Sequence, residues 1–443
     1  MKKLLPLIIL VIMGLMLMIS WSNIADAKTE VTEKYKALMA SGERFEEKRI
    51  YIDAVKQYEA ALKLKPEYNL ALHVASLYDE LNDDKGYLNA LDTAIECDRT
   101  NPEPYMMKIA RYQEKYDKAD LYKVLNNTKA VLKESERATE DQRRYVDNEL
   151  KKLLSDISVS VFQYDEQFGF HRYEGKGTSF AKVRHEDKYG IIDSKLGSYA
   201  SAKFDDISLA GGGLIPVLEE GEYYYIDTAG NRKVVTDEPA TAIGVFGAGY
   251  APVQIDGKYG YIDSKMREYH FEYEYAGTFE CGIAPVKQNG KWFVINKQFQ
   301  PVGPNFDEIL IDNYGFCSPY GVYFGKSGNS WGMYSTAGQK IADGFEDVRQ
   351  FASNQPTAVK KSGKWGFVSL SGEEVIPPQF EDAKAFSLGY APVLKNGLWG
   401  CINTDGEILI DPQFKNLEPF NEEGLAFGEN AEGLCTVVIR QYK

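Results

Sequence analysis

Histidine is scarce in this chain of 443 residues, with 4 copies at 73, 171, 185 and 270. None has a second His or Cys three or four residues away, the spacing that metal sites on one element use. So few remain that a Ser/His or Cys/His pair with a supporting acid is not expected. Cysteine is nearly as rare: 5 residues stand at 97, 281, 317, 401 and 435 with no Cys-x-x-Cys pair. That spacing excludes a disulfide framework and a dithiol redox motif. Cys401 occupies the place that Tyr261 and Phe367 hold in related segments, so it reads as a buried thiol filling an apolar column. Positive charge is in deficit, with 51 Lys and Arg against 65 Asp and Glu, a net charge of −14. Nucleic acid is therefore not an expected partner, since phosphate binding needs clustered cations. Phosphate-binding loops and dinucleotide fingerprints are missing too, and no cofactor is expected.

Long apolar runs are absent except at the N-terminus. Residues 1–27 carry Lys2 and Lys3, an apolar stretch from Leu4 to Ile19, and Ala25-Asp26-Ala27 placed as a small-residue cleavage site. This reads as a secretory signal, so the protein is expected to be exported, to the cell envelope or the extracellular space. An uncleaved single-pass anchor is the alternative, and the only way the chain would hold a membrane. With so few cysteines, an exported chain must draw its stability from repeat packing.

What is present is repetition. Tyr189, Tyr223, Tyr259, Trp292, Trp331, Trp365 and Trp399 follow one another at spacings of 34, 36, 33, 39, 34 and 34 residues. Gly follows the aromatic in five copies, at 190, 260, 332, 366 and 400. Two residues before it, Gly221, Gly257, Gly290, Gly363 and Gly397 mark a hairpin turn, where left-handed backbone costs glycine nothing. Four residues after it stand Asp193, Asp227, Asp263, Asn296, Ser335, Ser369 and Asn403, short side chains able to fold back on backbone amides and stop the strand. Between hairpins, an aromatic recurs at Phe204, Tyr273, Phe306, Phe345, Phe380 and Phe414, mostly beside an acid, and a second at Phe246, Phe279, Phe351, Phe386 and Phe420. Ala-Pro-Val begins at Ala251, Ala284 and Ala391. From about Ser179 onward the chain resembles the WG-repeat family of Trp-Gly β repeats. About seven such repeats over residues 158–443 are expected to build an all-β array, propeller-like or an open β-solenoid. The longer spacing before Trp331 inserts Ile311 to Tyr323, which reads as a protruding loop.

Residues 28–157 follow a helical pattern. Tyr51, Ala54, Tyr58, Ala61 and Pro66 match the second half of a tetratricopeptide repeat, with Gly42 and Phe45 in its first helix. Ala75, Tyr78, Leu91 and Ala94 repeat the pattern 33 residues on, and Ile109, Tyr112, Leu125 and Thr128 form a third copy. Residues 140–157 read as an amphipathic capping helix. The whole chain is thus an α + β multidomain protein, a tetratricopeptide-like α-hairpin stack before the β array. The resemblance implies a groove lined by the first helices, with Glu46, Glu47, Asp79, Glu80, Gln113 and Glu114 facing it. The family's carboxylate-grasping version needs cations and amides there, and only Lys36 and Asn69 qualify, so a basic or partly apolar segment of protein or peptide is the expected occupant.

Gly328-Asn329-Ser330-Trp331-Gly332 fits the Gly-x-Ser-x-Gly hydrolase pattern, but a strand on each side leaves no strand-to-helix elbow to expose the serine. The acid pairs Asp205-Asp206, Glu373-Glu374 and Glu381-Asp382 recur with the repeat, which catalytic pairs would have no reason to do, so they read as turn and rim residues. A non-enzymatic interaction scaffold is the function expected. A cell-envelope module stacking glycan or peptidoglycan on exposed Trp or Tyr is the alternative, and a glycosidase-like enzyme a minor one. Burial of Trp292, Trp331, Trp365 and Trp399 would remove the sugar platform.

Overall fold

A computed structural model describes residues 28–442 apart from 234, 236 and 237, so the expected export signal lies outside the described residues. The described chain divides into a helical unit up to Leu153, joined by Tyr442, and a β unit from Leu154 to Gln441. That division falls a few residues before 157/158. Leu154 packs on an apolar cluster that includes Tyr390, Phe420 and Val437, its carbonyl accepts from Tyr390 Oη at 2.8 Å, and Ile157 already opens a strand.

The helical unit contains α1 (28–47), α2 (Tyr51–Leu64), α3 (Tyr68–Glu80), α4 (Asp84–Cys97), α5 (Glu103–Lys115), α6 (Lys118–Glu134) and α7 (Glu140–Leu154). The repeat's small and aromatic positions explain the pairing. A Cβ on Gly42 would sit 2.4 Å from the ring of Tyr58, so glycine is what lets α2 lie against α1. Ala54, Ala61, Ala71, Ala75 and Ala94 are fully buried at the other close approaches. Asp83 caps α4 by accepting from Gly86 N, Asp117 caps α6 through Asp120 N, and Thr139 and Gln142 form a reciprocal capping box ahead of α7. α7 closes the stack by burying Val146, Leu150 and Leu153 against Ile109, Leu121 and Leu125.

The β unit is a ring of eight four-stranded antiparallel sheets. Sheets I to VII span 166–204, 206–233, 242–273, 275–306, 308–345, 347–380 and 382–414. Sheet VIII takes three strands from 416–439 and its fourth from Ile157–Val161, which pairs with Gly433–Ile439 in the register Ile157↔Ile439 to Val161↔Cys435. Phe162, Ala181 and Ile192 pack on Phe427, joining sheet I to sheet VIII, so the array closes into a propeller. A period near 34 suffices for four strands because the first strand of a sheet has only two residues and the hairpins turn in two. Seven marked repeats accompany eight sheets because the last has lost its markers: Leu434 pairs with Glu429 as Trp399 pairs with Leu394, and Cys435 stands in the glycine's place.

All seven marker aromatics are the second residue of the third strand of their sheet. Six face the linker aromatic across the fourth strand, as in Trp365↔Phe380 and Trp399↔Phe414. A cation lies over several of them: Arg349 over Trp365 at 4.2 Å, Lys384 over Trp399 at 4.9 Å, Lys182 over Tyr189 at 4.3 Å. The same cations tie neighbouring sheets, Lys182 to Asp206, Arg349 to Asp382 at 3.2 Å and Lys384 to Glu418 at 2.6 Å. The glycine after the marker has its own reason, since the fourth strand bulges there and a Cβ on Gly400 would meet Ile410 O at 2.3 Å. The short polar column stops the third strand as expected, Asn403 Oδ1 accepting from Asp405 N and Glu407 N, and Asp193 Oδ1 from Lys195 N and Gly197 N.

Candidate functional site

In most sheets a short loop joins the first strand to the second, but in sheets I and V it is long and turns into the ring. The two loops come from sheets four places apart among eight, and they meet. Asn313 Nδ2 donates to Phe168 O at 3.1 Å and Tyr314 Oη to Gly169 O at 2.8 Å, while Phe316 stacks on His171 at 4.1 Å. The insertion at 311–323 is therefore no protruding loop. Tyr314, Phe316 and Cys317 are buried, and together with residues 168–176 they plug the middle of the ring. Burial of those apolar side chains is the physical reason, since a solvent loop would leave them wet.

The plug is held by charge. His171 is buried, its Nδ1 2.9 Å from Asp312 Oδ2 and its Nε2 3.5 Å from Oε1 of the fully buried Glu280. Burial alone would lower the imidazole pKa, but the two carboxylates outweigh it and raise it to about 9. Glu280 Oε1 also accepts from Glu174 N at 2.7 Å, and Tyr173 Oη, which accepts from Ala248 N at 2.9 Å, reaches the sheet III loop. The plug is thus tied to the loops of sheets III and IV.

The opposite side stays open. Between the plug and sheets VI, VII and VIII lies a cavity of about 370 Å³. Phe170, Tyr320, Phe351 and Phe420 supply rings, and Arg172, Ser179, Gln350, Gln355 and Glu422 supply polar groups. Phe351 and Phe420 belong to the second linker-aromatic column and Tyr320 to the insertion before Trp331, but the other residues do not stand out in the sequence. The available signals were the long spacing before Trp331, the unassigned stretch before Phe180, and a histidine that only folding pairs with acids.

In the helical unit, the structure gathers Glu46, Glu47 and Glu80 around one open depression, with Glu43, Arg49 and His73 beside them and Leu77 and Tyr51 in its lining. Glu46 accepts from Tyr58 Oη at 2.9 Å and lies 2.8 Å from His73 Nε2. The other groove candidates lie elsewhere. Asp79 and Asp84 hold the buried Arg111, which stacks on Tyr87 at 4.0 Å. Gln113 is bridged to α7 through Tyr145 and Glu149, and Lys36 pairs with Glu33. Asn69 and Glu114 are exposed. Glu43 and His73 belong to the depression although the repeat pattern did not single them out, and the repeat position Tyr51 lines it as well.

The remaining leads resolve structurally. Ser330 opens a strand directly after a hairpin and faces Ser327. The recurrent linker acids cap the hairpin turns: Asp205 accepts from Glu220 N, Asp307 from Gly328 N and Glu381 from Asn396 N. Lys188 beside Asp205 and Lys291 beside Asp307 hold those carboxyls below the usual range. Burial pushes the Cys281 thiol up to about 11 and the Cys317 and Cys401 thiols further, so all three stay protonated. Trp331, Trp365 and Trp399 are buried and Trp292 is half-buried, which removes most of the platform for stacking sugars on tryptophan. Among the described residues there is no cluster of metal-ligating side chains, and no helix is long and apolar enough to cross a membrane.

Residues 259–292, 365–399 and 399–427 match the family model described as "WG containing repeat", each match beginning on a marker aromatic. No curated protein matches the chain. Among solved structures, the β-propeller domain of Cps50 (Swd1) from Myceliophteria thermophila is 10% identical, covering 64% of this chain and 99% of that one with a TM-score of 0.36. The first TPR of Spaghetti (RPAP3), solved with an HSP90 peptide, is 18% identical over 27% of this chain and 94% of its own, TM-score 0.20. The TPR2B domain of yeast Sti1, solved in complex with pHsp70, is 19% identical over 27% and 95%, TM-score 0.21.

Proposed function

We propose that this chain, a tetratricopeptide-like stack followed by an eight-bladed propeller with WG repeats, is an exported, non-enzymatic scaffold that holds a basic segment of another protein. The observation that carries the reading is the depression lined by Glu43, Glu46, Glu47 and Glu80 with Arg49 as its one arginine, and with Leu77 and Tyr51 offering apolar contact. Such a surface attracts a cationic, partly apolar chain and repels an acidic one. The non-catalytic part is supported by the turn-capping role of the repeated acids, the protonated thiols and the strand position of Ser330. Export rests on residues 1–27 alone, and mass spectrometry of the secreted form finding a chain that begins after Ala27 is the expected result.

Fluorescence anisotropy with a Lys/Arg-rich peptide tests the groove. Binding weakens with added salt, and combining Glu43→Gln, Glu47→Gln and Glu80→Gln lowers affinity about tenfold, since each rim charge contributes up to about 1 kcal/mol. Equal binding of an acidic peptide, or no effect of the triple substitution, would show that the depression is not the binding surface.

A further inference from the structure

The cavity between the plug and sheets VI to VIII has two kinds of wall. Its rings, Phe170, Tyr320 and Phe351 among them, leave apolar faces, yet the polar groups beside them retain hydrogen-bonding capacity of both signs. Ser179 is 2% exposed, and its hydroxyl is buried without a partner. Arg172 donates Nε to Gly177 O at 2.7 Å and has no carboxylate partner among the described residues, which leaves its terminal amines as donors. Gln355 spends its oxygen on Gly389 N, leaving its amide nitrogen as a donor, while Gln350 spends its nitrogen on Leu310 O and Phe316 O, leaving its oxygen as an acceptor. Glu422 accepts Ser179 N at 2.6 Å through one oxygen, and the other remains an acceptor.

A buried hydroxyl without a partner costs about 1 to 3 kcal/mol, so one beside a cavity marks a place where something else completes the bond. A simple anion would use only the donors, and a simple cation only the acceptors. An extended peptide would need a strand edge several residues long, whereas the first strands bordering the cavity, Asp382–Ala383 and Asn416–Leu417, are two residues each. We propose that this cavity binds a neutral saccharide of one or two pyranose units, its hydroxyls engaging Arg172, Ser179, Gln350, Gln355 and Glu422 and its apolar face lying on the rings. Each sugar hydroxyl donates and accepts at once, which is what the mixed set requires. The volume lies in the range of small-molecule sites, about 300 to 1,000 Å³. The site uses no tryptophan and is independent of the acidic depression on the helices.

The test is a titration of the full chain with glucose, N-acetylglucosamine and cellobiose, read by saturation-transfer NMR and calorimetry, with trialanine and inorganic phosphate as comparison arms. One of the sugars binds with a Kd of about millimolar or tighter. Ser179→Ala and Arg172→Leu each weaken it about tenfold, consistent with one hydrogen bond to a neutral or charged group. Ala352→Trp, which fills the cavity from its half-exposed wall, abolishes binding while the melting temperature shows the ring intact. Failure of all three sugars, unaltered binding in a folded Ala352→Trp variant, or binding of trialanine or phosphate in their stead overturns the proposal.

Discussion

His171 shows how one side chain can carry a tertiary arrangement. The groups facing it are Asp312 from its own partner loop, Glu280 from sheet IV, and the uncharged rings of Tyr314 and Phe316. Its pKa is raised in the folded state from 6.5 to about 9, so its contribution to stability is fully present below pH 6.5 and is lost as pH rises through 9. Thermal melts should therefore show the melting temperature falling between those values, and His171→Gln should flatten that slope. At pH 6 the same substitution costs about 3 kcal/mol, because it strands the buried Glu280 and the half-buried Asp312. A second residue-scale contrast separates two glycines of one hairpin. Gly397 has φ 77° with open space around it, whereas Gly400 faces Ile410 O. Asn tolerates left-handed backbone, so Gly397→Asn costs less than about 1 kcal/mol, while Gly400→Asn costs about 3 kcal/mol or more through backbone overlap. Chemical denaturation of the two variants reads the difference.

The hairpin with its linker acid is the element that the chain copies. Since Glu381 caps Asn396 N at 2.9 Å and Glu346 caps Gly363 N at 2.9 Å, Glu381→Ala and Glu346→Ala should each cost about 1 kcal/mol by denaturant titration. Most of this element is legible in the sequence, because its turn, strand stop and aromatic column each demand a particular residue type at a fixed place. The eighth copy was hidden because Leu434 and Cys435 pack adequately where Trp and Gly stood. The plug was hidden for a different reason. Periodicity tells where a strand ends but not which way the next loop turns, although Tyr314, Phe316 and Cys317 in the insertion were apolar enough to argue for burial. The groove acids were legible as a set, yet only folding shows that Asp79 serves Arg111 and that Glu43 joins Glu46, Glu47 and Glu80.

At the scale of the whole β unit, closure depends on five residues. Deleting Ile157 to Val161 would leave Gly433–Ile439 as an unpaired edge with its hydrogen-bonding groups bare. Such a variant should aggregate by light scattering and exchange its amides fastest in sheet VIII. Normal size and protection would show that the ring holds without that strand. The arrangement also sets an order of events at the ribosome. Ile157 to Val161 emerges early, but its partner emerges only after more than two hundred further residues have been translated, on the order of tens of seconds later. Throughout that wait the nascent segment has nothing to pair with, and any chaperone that guards this chain has its most sustained task there.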